Sequence, residues 1–534
     1  MTLLLVLVMA ASCSHSRVND PRVFYYNQPE GIATLDPAYA KSQPVMWAVH
    51  QVYSTLVEVD TGMHTIPLLC KRWELSADRL TYTFWLREDV YFHNDPVFPG
   101  GKGRRMVASD VEYSLSRIMD HKVASPGAWI FNDRLDSLRP FVSVSDSMFQ
   151  IRLARPFHPI LGILGMPYCS VVAREAVEAY GADFRRHPVG TGPFAFSAWE
   201  EGQALILRRH TRYFEQDAQG KSLPRLEAVK ISFLDSKSSE FLAFQEGRLD
   251  FVNDIDANFK DEILTRKGEL KPEWSGRIVL QKHPYLNTEY LGINVDTAGA
   301  GSNPLKNKLV RQAMNMAIDR PKMMLYLRNS IGTPAESGFV PEGMAGFGDH
   351  PVKGYHYDPE RSKVLLAKAG YPDGKGLPEI KLLTIPIYAE LGAFVARQLE
   401  EVGIHARVEA IQRGTLLEMN AKGEAPFFRA SWIGDYPDPE NYLSVFYGRN
   451  PAPPNYTRYR RPAFDSLYQE AIRETNDSLR HILYVRMDQM VTDDAPVIPL
   501  WYDMVIHLVN PKVRDFYPNA LNMPDLRMVS KGTE

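Results

Sequence analysis

Cysteine is scarce in this chain: 534 residues contain only Cys13, Cys70 and Cys169. Their spacing matches neither zinc-site nor redox patterns, so no metal and no cofactor is expected. The HExxH motif of zinc proteases and the GxSxG motif of serine hydrolases are also absent. Because neither a nucleophile nor a metal set is evident, we expect a protein that is not an enzyme. Cys70 and Cys169 either form a disulfide or stay as separate buried thiols, since sequence alone does not show proximity.

Blocks of like charge are missing as well. The chain has 61 basic and 64 acidic residues, a net charge of −3, and no sizeable basic block. Proteins bind nucleic acid through clustered Lys and Arg side chains, so nucleic acid is excluded as a partner. The composition, 45% hydrophobic and 23% charged, is that of a globular protein, and the length predicts two or three lobes.

Long apolar runs are confined to the N-terminus, where MTLLLVLVMAASC ends in small residues and a cysteine. Such a segment is typical of a secretory signal peptide and is too short to span a bilayer. Because Ala10, Ala11 and Ser12 precede Cys13, residues 1–13 resemble a bacterial lipoprotein signal. We therefore expect an exported protein of the periplasm or cell envelope, anchored to a membrane by lipid on Cys13. A plain cleaved signal peptide is the alternative.

Strand and helix patterns alternate along the chain, as in an α/β protein. The segment Leu80–Leu86 alternates apolar and polar residues and predicts a strand. A helix is predicted from Ser109, because Glu112 stands at capping-box spacing from it. Another helix is predicted between Asp358, a good N-cap residue, and Gly370, which suits a helix end. The sequence thus predicts a mixed α/β body.

The stretch ASWIGDYPDPENYL places three acids, Asp435, Asp438 and Glu440, among three aromatic residues and two prolines. It has three interpretations: a rigid acidic turn, a carboxylate pair for acid–base chemistry, or the wall of a pocket for a cationic ligand. Proline fixes the backbone and aspartate favours turns, so we assign Asp438 and Glu440 to a turn. Asp435 precedes the first proline and is the candidate functional acid.

The order of motifs along the whole chain is specific. It comprises TLDPAYA, LTYTFWLREDVYFHNDPVF, ASDVEYSLSRI, VGTGPFAFSAWEEGQALILRRHTRYF, YLGINV, PLKNKLVRQAMNMAIDR, YDPERSKVLLAKAGYPDGKGLPEI, WIGDYPDPENYLSVF and DAPVIPLWY. From about Val23 to beyond Trp501, this series resembles the family 5 extracellular solute-binding proteins of ABC importers, the dipeptide- and oligopeptide-binding group.

The resemblance implies an α/β, two-lobed fold of the periplasmic-binding-protein type II kind, with a hinge and an extra family-specific domain. The implied domains are a discontinuous lobe I (20–55, 185–280 and 495–534), the extra domain (56–184) and lobe II (281–494). Such lobes close on ligand like a trap. The segment VGTGPF lies near a crossing, where Gly190 and Gly192 allow unusual backbone angles.

The resemblance also implies the ligand site. Asp435 would pair with the α-ammonium of a bound peptide, and the backbone from Ser431 to Gly434 would bond the peptide main chain by strand addition. Other implied ligand-binding residues are Trp432, Ile433, Gly434 and Tyr436, with Gly31, Ile32 and Ala33 on the facing wall. Trp432 either lines the pocket or packs under the strand.

The predicted function is capture of peptides, in particular oligopeptides, by a monomer that delivers them to a membrane permease and its ATPase. Dipeptide-binding relatives carry an arginine for the ligand carboxylate in the second lobe, but this chain has no arginine between Lys381 and Arg397. The alternatives are therefore a longer peptide or a non-peptide solute: an oligosaccharide, a nickel complex, haem or an opine. Two alternatives are not binding proteins of a transporter: a secreted hydrolase that uses Asp435, and a protein of signalling or adhesion on a similar scaffold.

Overall fold

The computed structural model describes residues 20–255, 257–296, 303–341, 343–344 and 352–532. The strands within this part of the chain are β1 (Val23–Asn27), β2 (Val57–Val59), β3 (Thr65–Pro67), β4 (Cys70–Leu75), β5 (Thr81–Leu86), β6 (Phe141–Ser145), β7 (Met148–Arg152), β8 (Phe194–Glu200), β9 (Ala204–Arg209), β10 (Ala228–Ser232), β11 (Phe251–Asn253), β12 (Val279–Ile293), β13 (Thr333–Pro334), β14 (Ile380–Thr384), β15 (Ala406–Ala410), β16 (Phe427–Ile433), β17 (Val497–Val509), β18 (Val513–Arg514) and β19 (Ser530–Lys531).

The α-helices over the same residues are α1 (Gln43–Val52), α2 (Ala108–Met119), α3 (Ile160–Ile163), α4 (Arg174–Tyr180), α5 (Lys237–Gln245), α6 (Ala257–Ile263), α7 (Lys308–Met316), α8 (Arg320–Leu327), α9 (Pro359–Lys368), α10 (Ala389–Glu401), α11 (Arg413–Lys422), α12 (Glu440–Leu443), α13 (Pro462–Ala471) and α14 (Asp477–Asp494). Short 3-10 helices occupy Pro37–Tyr39, Pro99–Gly101, Ala128–Phe131, Pro167–Cys169, Gly181–Arg186, Pro272–Trp274, Pro304–Lys306, Pro372–Gly374, Pro386–Tyr388 and Ser444–Phe446. None of the described helices is both long and apolar enough to cross a membrane.

One large mixed sheet organises the chain, in the strand order β15-β14-β16-β12-β17-β11-β1-β10-β9-β8, with β13 paired to β17. A separate antiparallel sheet, β4-β5-β7-β6, lies in the segment predicted as the extra domain. Buried apolar residues form one large core, with Phe24, Phe84 and Tyr442 among its members, and separate smaller cores around Leu382 and Phe241. The mixed α/β architecture predicted from the sequence is confirmed.

The strands β12 and β17 are the longest of the described strands and link the two halves of the large sheet. Val279–Pro284 pairs with the C-terminal part of β17, next to β11, while Thr288–Gly292 pairs with its N-terminal part, next to β16. The register shifts between Pro284 and Thr288. A break in the hydrogen-bond ladder lets the two halves of the sheet bend relative to each other, so we propose that the hinge lies between Pro284 and Thr288. The domain boundaries expected from the sequence stay a prediction.

Two predicted elements show how local signals act. The strand at Leu80–Leu86 is confirmed as β5, and α9 begins after Asp358, whose carboxylate accepts the Arg361 N–H at 2.8 Å. The capping prediction for α2 is wrong in detail. This helix begins at Ala108 after the N-cap residue Val107, and the carboxylate of Asp110, instead of that of Glu112, accepts the N–H of the N-cap residue at 2.9 Å.

The glycines of VGTGPF serve close packing in this structure. Neither Gly190 nor Gly192 has a positive φ. A Cβ on Gly190 would lie 2.2 Å from the Val52 carbonyl oxygen, and a Cβ on Gly192 would lie 2.5 Å from the Val52 carbonyl carbon. Only glycine lets this loop approach the end of α1 so closely.

The two described cysteines, Cys70 and Cys169, are separate buried thiols. Burial raises the pKa of Cys70 to about 12 and also raises that of Cys169, which keeps both thiols protonated and unreactive at neutral pH. No group of three or more His, Cys, Asp or Glu side chains suited to a metal ion occurs within the described ranges. The predicted signal segment and Cys13 lie outside the described residues.

Candidate ligand-binding site

The segment after β16 is a tight turn between a strand and a helix. β16 ends at Ile433, the N–H of Gly434 donates to the Leu286 carbonyl oxygen at 2.7 Å, and α12 starts at Glu440. A Cβ on Gly434 would lie 3.0 Å from the Tyr442 hydroxyl, so a small residue suits this position. The turn therefore carries Asp435 directly off the end of a sheet strand.

Two of the three acids of this segment are buried and stabilise the turn and the start of α12 through hydrogen bonds and an ion pair. Asp438 accepts the Glu440 N–H at 2.9 Å and forms an ion pair with Arg480. Glu440 is fully buried and accepts the hydroxyl of Tyr436 at 2.5 Å and that of Tyr468. The assignment to the turn is confirmed for Asp438, whereas Glu440 is the first residue of α12. The Tyr436 side chain is likewise buried, so its contact with a ligand stays a prediction.

Asp435 differs from these acids because its side chain is exposed. Its second carboxylate oxygen accepts the side-chain N–H of Asn441 at 3.3 Å. Protein atoms still surround the group, and the resulting desolvation raises its pKa, against the lowering effects of Asn441 and Arg134. A carboxylate that meets solvent yet is partly desolvated fits the wall of a cleft.

Asn441 joins Asp435 to Trp432. The side-chain oxygen of Asn441 accepts the indole N–H of Trp432 at 3.0 Å and the backbone N–H of Asp435 at 3.2 Å. Trp432 is half-buried: part of its side chain packs against the main core, and the rest is accessible to solvent. Both interpretations of Trp432 given above therefore stay open. Sequence reasoning missed Asn441, because its contact with Asp435 exists only once the turn has formed.

The outer edge of β16 is open next to Asp435. The pair Gly434–Leu286 is hydrogen-bonded, so by alternation Trp432 and Ala430 also bond to β12. The backbone groups of Ser431 and Ile433 then point to the other side, where β14 pairs with β16 only at Phe428. Among the described residues no strand covers this stretch, which leaves N–H and C=O groups free for an extended ligand.

A second polar cluster, also missed by sequence reasoning, lies on the face of β16 that Ser431 shares. Arg429 forms a two-fold hydrogen-bonded pair with Glu289, and its guanidinium carbon lies 3.6 Å from the Tyr388 ring centroid. Burial raises the pKa of Glu289 to about 7, against the stabilising charge of Arg429. The segment between Lys381 and Arg397 contains no arginine, but its Tyr388 contacts the guanidinium of Arg429 on the neighbouring strand.

The predicted facing wall lies at the carboxyl ends of parallel strands. Gly31, Ile32 and Ala33 follow β1, which pairs in parallel with β10 and β11. Gly31 has a φ of +69°, Ile32 is buried, and Ala33 is exposed. Ligands of open α/β sheets bind beyond such strand ends, so the placement agrees with the predicted role, which stays a prediction.

Residues of the segment predicted as the extra domain also approach the turn. A Cβ on Gly162 would lie 3.3 Å from the ring of Pro437. Burial and the charge of Asp435 together raise the pKa of Tyr168 to about 12. Arg134 donates to the Ile130 carbonyl oxygen at 2.8 Å, and its charge lowers the pKa of Asp435. Asp435 therefore faces this segment as well as solvent.

Known proteins share this architecture over nearly their full length. The chain is 28% identical to heme-binding protein A of Haemophilus influenzae, covering 87% of this chain and 84% of that protein. It is 26% identical to the dipeptide-binding protein of Escherichia coli, covering 90% and 89%. The ABC transporter-associated periplasmic binding protein DppA from Helicobacter pylori, solved in complex with the peptide STSA, is 25% identical and superposes with a TM-score of 0.74 over 95% of this chain and 98% of that one.

The sequence profile of the bacterial extracellular solute-binding proteins, family 5 middle, matches residues 64–453. This range holds the sheet of β4 to β7, all of β12 and the whole segment from β16 through α12. The profile thus covers most of the chain, including the turn that carries Asp435. The chain belongs to the bacterial extracellular solute-binding proteins of family 5.

Proposed function

We propose that this solute-binding protein captures peptides in the cleft between its lobes and delivers them to the permease and ATPase of an ABC importer. The observation that carries the proposal is the exposed carboxylate of Asp435 at the end of the open edge of β16. A peptide has an ammonium group followed by a main chain of alternating donors and acceptors. The site offers a carboxylate followed by a strand edge in the same order.

The proposed role of Asp435 follows from desolvation. A cleft that closes around an ammonium group removes water from it, and the lost solvation must be replaced by an opposite charge and hydrogen bonds. The carboxylate oxygen of Asp435 that Asn441 does not contact supplies both. Protein atoms already raise the pKa of Asp435, so its solvation is in part lost before any ligand arrives.

The open edge of β16 would bind the peptide main chain through Ser431 and Ile433. Main-chain bonds do not read side chains, so this mode suits a permissive binder of oligopeptides. The side chain of Ile433 is 49% exposed beside the edge, which gives a ligand side chain an apolar surface to cover. Gly31, Ile32 and Ala33 would form the opposite wall when the lobes close.

Export and lipid anchoring complete the proposal. The protein would act as a monomer in the periplasm or cell envelope, held to a membrane by lipid on Cys13. The relatives reported above are named as binding proteins, which supports a binding role without catalysis. The hydrolase alternative loses ground because Asp438 and Glu440 are engaged inside the turn and do not pair with Asp435 for catalysis.

A non-peptide solute is the second candidate, favoured by the similarity to a heme-binding protein. Mass spectrometry of small molecules released by denaturing the purified protein separates the two candidates. We expect peptides with free amino termini. Haem, saccharides or metal complexes in stoichiometric amount, without peptides, would overturn the proposal.

A further inference from the structure

We propose that Asn441 is the positioning residue of the ligand site, which holds the Asp435 carboxylate toward the cleft and keeps it ready to receive a cationic group. This inference rests on the proposed role of Asp435. It starts from three hydrogen bonds that one small side chain makes at the same time, to the Asp435 carboxylate, the Asp435 backbone and the Trp432 indole.

The geometry uses both ends of the amide. The oxygen of Asn441 accepts the Trp432 indole N–H at 3.0 Å and the Asp435 N–H at 3.2 Å, while its NH2 donates to the Asp435 carboxylate at 3.3 Å. No other natural side chain of this size offers an acceptor and a donor in these positions. Asn441 is itself 3% exposed, so these bonds are made away from bulk water.

The consequence concerns one carboxylate oxygen. Asn441 occupies the second oxygen of Asp435 and fixes the rotation of the carboxylate, so the first oxygen keeps a defined direction. A fixed group loses less entropy when the ligand binds than a freely rotating one. The same bond stabilises the charged form of Asp435 and counters the desolvation that favours the neutral form.

Other groups around Asp435 act on its charge as well. Arg134 stabilises the carboxylate, whereas Glu440 opposes it, and the hydroxyls of Tyr168 and Tyr442 lie within the reach of its charge. Asn441 differs from these groups because it is hydrogen-bonded to both the carboxylate and the backbone of Asp435. A change at Asn441 should therefore alter the titration of Asp435 while the surrounding charges stay in place.

The first test needs no ligand. In protein labelled with ¹³C at aspartate carboxyl groups, the signal of Asp435 is assigned with Asp435→Asn and followed against pH. We expect Asn441→Ala to move the midpoint upward by about one pH unit or more, because a hydrogen bond to a charged group is lost. Asn441→Asp should move it at least as far, since it keeps the acceptor for Trp432 but places a second carboxylate beside the first.

Ser444→Ala is the matched control, because the Ser444 hydroxyl donates to the backbone carbonyl of Asn441 at 3.0 Å. This substitution removes a hydrogen bond at the end of α12 that does not involve Asp435. The titration midpoint of Asp435 in Ser444→Ala should therefore equal that of the wild type. Equal midpoints in Asn441→Ala and the wild type would overturn the inference, and so would an equal shift in Ser444→Ala.

The second test measures trialanine and N-acetyl-trialanine by calorimetry at pH 7. Asn441→Ala should weaken trialanine binding about tenfold or more and leave the acetylated probe nearly unchanged, as the two changes act on one interaction. Equal weakening of both probes would mean general damage and would contradict the positioning role. If the wild type binds trialanine no more tightly than N-acetyl-trialanine, the proposed function is wrong. The ¹³C titration then still decides whether Asn441 sets the pKa of Asp435.

Discussion

At the scale of single residues, burial decides which acids of the 430–443 segment are free to act. Both Asp438 and Glu440 are buried. The carboxylate of Asp438 pairs with Arg480 and accepts a backbone N–H, and that of Glu440 accepts tyrosine hydroxyls. Asp435 keeps one oxygen without such a bond and stays exposed. An acid that builds the turn and the acid that we propose to bind a ligand thus stand three positions apart.

A buried acid elsewhere predicts how stability depends on pH. Asp488 is fully buried and accepts the N–H groups of Phe339 and Val340 at 2.8 and 3.2 Å, and desolvation raises its pKa to about 7. Its folded pKa is above its unfolded pKa, so its contribution to stability is complete below about pH 4 and is lost as pH rises through 7. The full loss corresponds to about 4 kcal/mol.

Asp488→Asn should therefore remove part of the decrease in unfolding free energy between pH 4 and pH 8. Urea unfolding at each pH measures it, and the difference between wild type and variant should change by a few kcal/mol over this range. A difference that is constant with pH would show that Asp488 has an ordinary pKa in the folded protein.

At the scale of elements, β16 is a strand with one paired and one open edge, and proline can tell the edges apart. Proline removes a backbone N–H and is tolerated where that N–H points away from the neighbouring strand.

Ser431→Pro should weaken peptide binding by about tenfold, because one hydrogen bond to the ligand is lost, and it should lower Tm only slightly. Ala430→Pro removes an N–H that bonds to β12 and should lower Tm clearly. Calorimetry and thermal unfolding check both, and equal Tm losses would contradict the assignment of the open edge.

The packing of Gly192 against α1 gives a second prediction at this scale. A Cβ there would lie 2.5 Å from a backbone carbon of Val52, and backbone cannot move aside as a flexible side chain can. Gly192→Ala should destabilise the protein by about 1–3 kcal/mol through overpacking. Gly202, which has no atom within 4 Å of such a Cβ, is a control for the loss of glycine, although its φ of +74° adds strain of its own. A fully stable Gly192→Ala protein would show that the loop has room.

Local elements were predictable where one residue carries the signal, and contacts between distant residues were not. Asp358 caps α9 because the capping bond spans three positions of the chain. For α2, by contrast, the N-cap is Val107, which has no capping side chain of its own, and Asp110 takes the part predicted for Glu112. Arg429 and Glu289 are 140 positions apart, and only the pairing of β12 with β16 brings them together. Asp435 was found through the resemblance to a family, whereas Asn441 needed the folded turn.

At the scale of the whole molecule, the proposed function depends on closure of the cleft. The strands β12 and β17 connect the halves of the large sheet, and their ladder shifts register between Pro284 and Thr288. Ligand binding should therefore reduce the radius of gyration as the halves approach. Small-angle scattering with and without a bound peptide measures this, and identical curves with a confirmed ligand would contradict a closing cleft.

The membrane attachment is a separate prediction at this scale. If Cys13 becomes the lipidated N-terminus, labelled palmitate should enter the wild-type protein in its bacterial host and should not enter Cys13→Ser. Cys70→Ser is the control, because this thiol is buried in the folded protein and lies outside the signal segment. Equal labelling of wild type and Cys13→Ser would remove the lipid anchor from the account.

The central claim is that Asp435 binds the peptide ammonium, and a calorimetric cycle of protein and ligand changes tests it most directly. Asp435→Ala should weaken binding of a free peptide by about 2–5 kcal/mol, about thirty- to several-thousand-fold, with Asp435→Asn between it and wild type and the surface variant Glu418→Ala unchanged. N-acetylation of the peptide should weaken wild-type binding strongly and matter little in Asp435→Ala, because both changes delete one interaction. Additive penalties from Asp435→Ala and acetylation would contradict the claim.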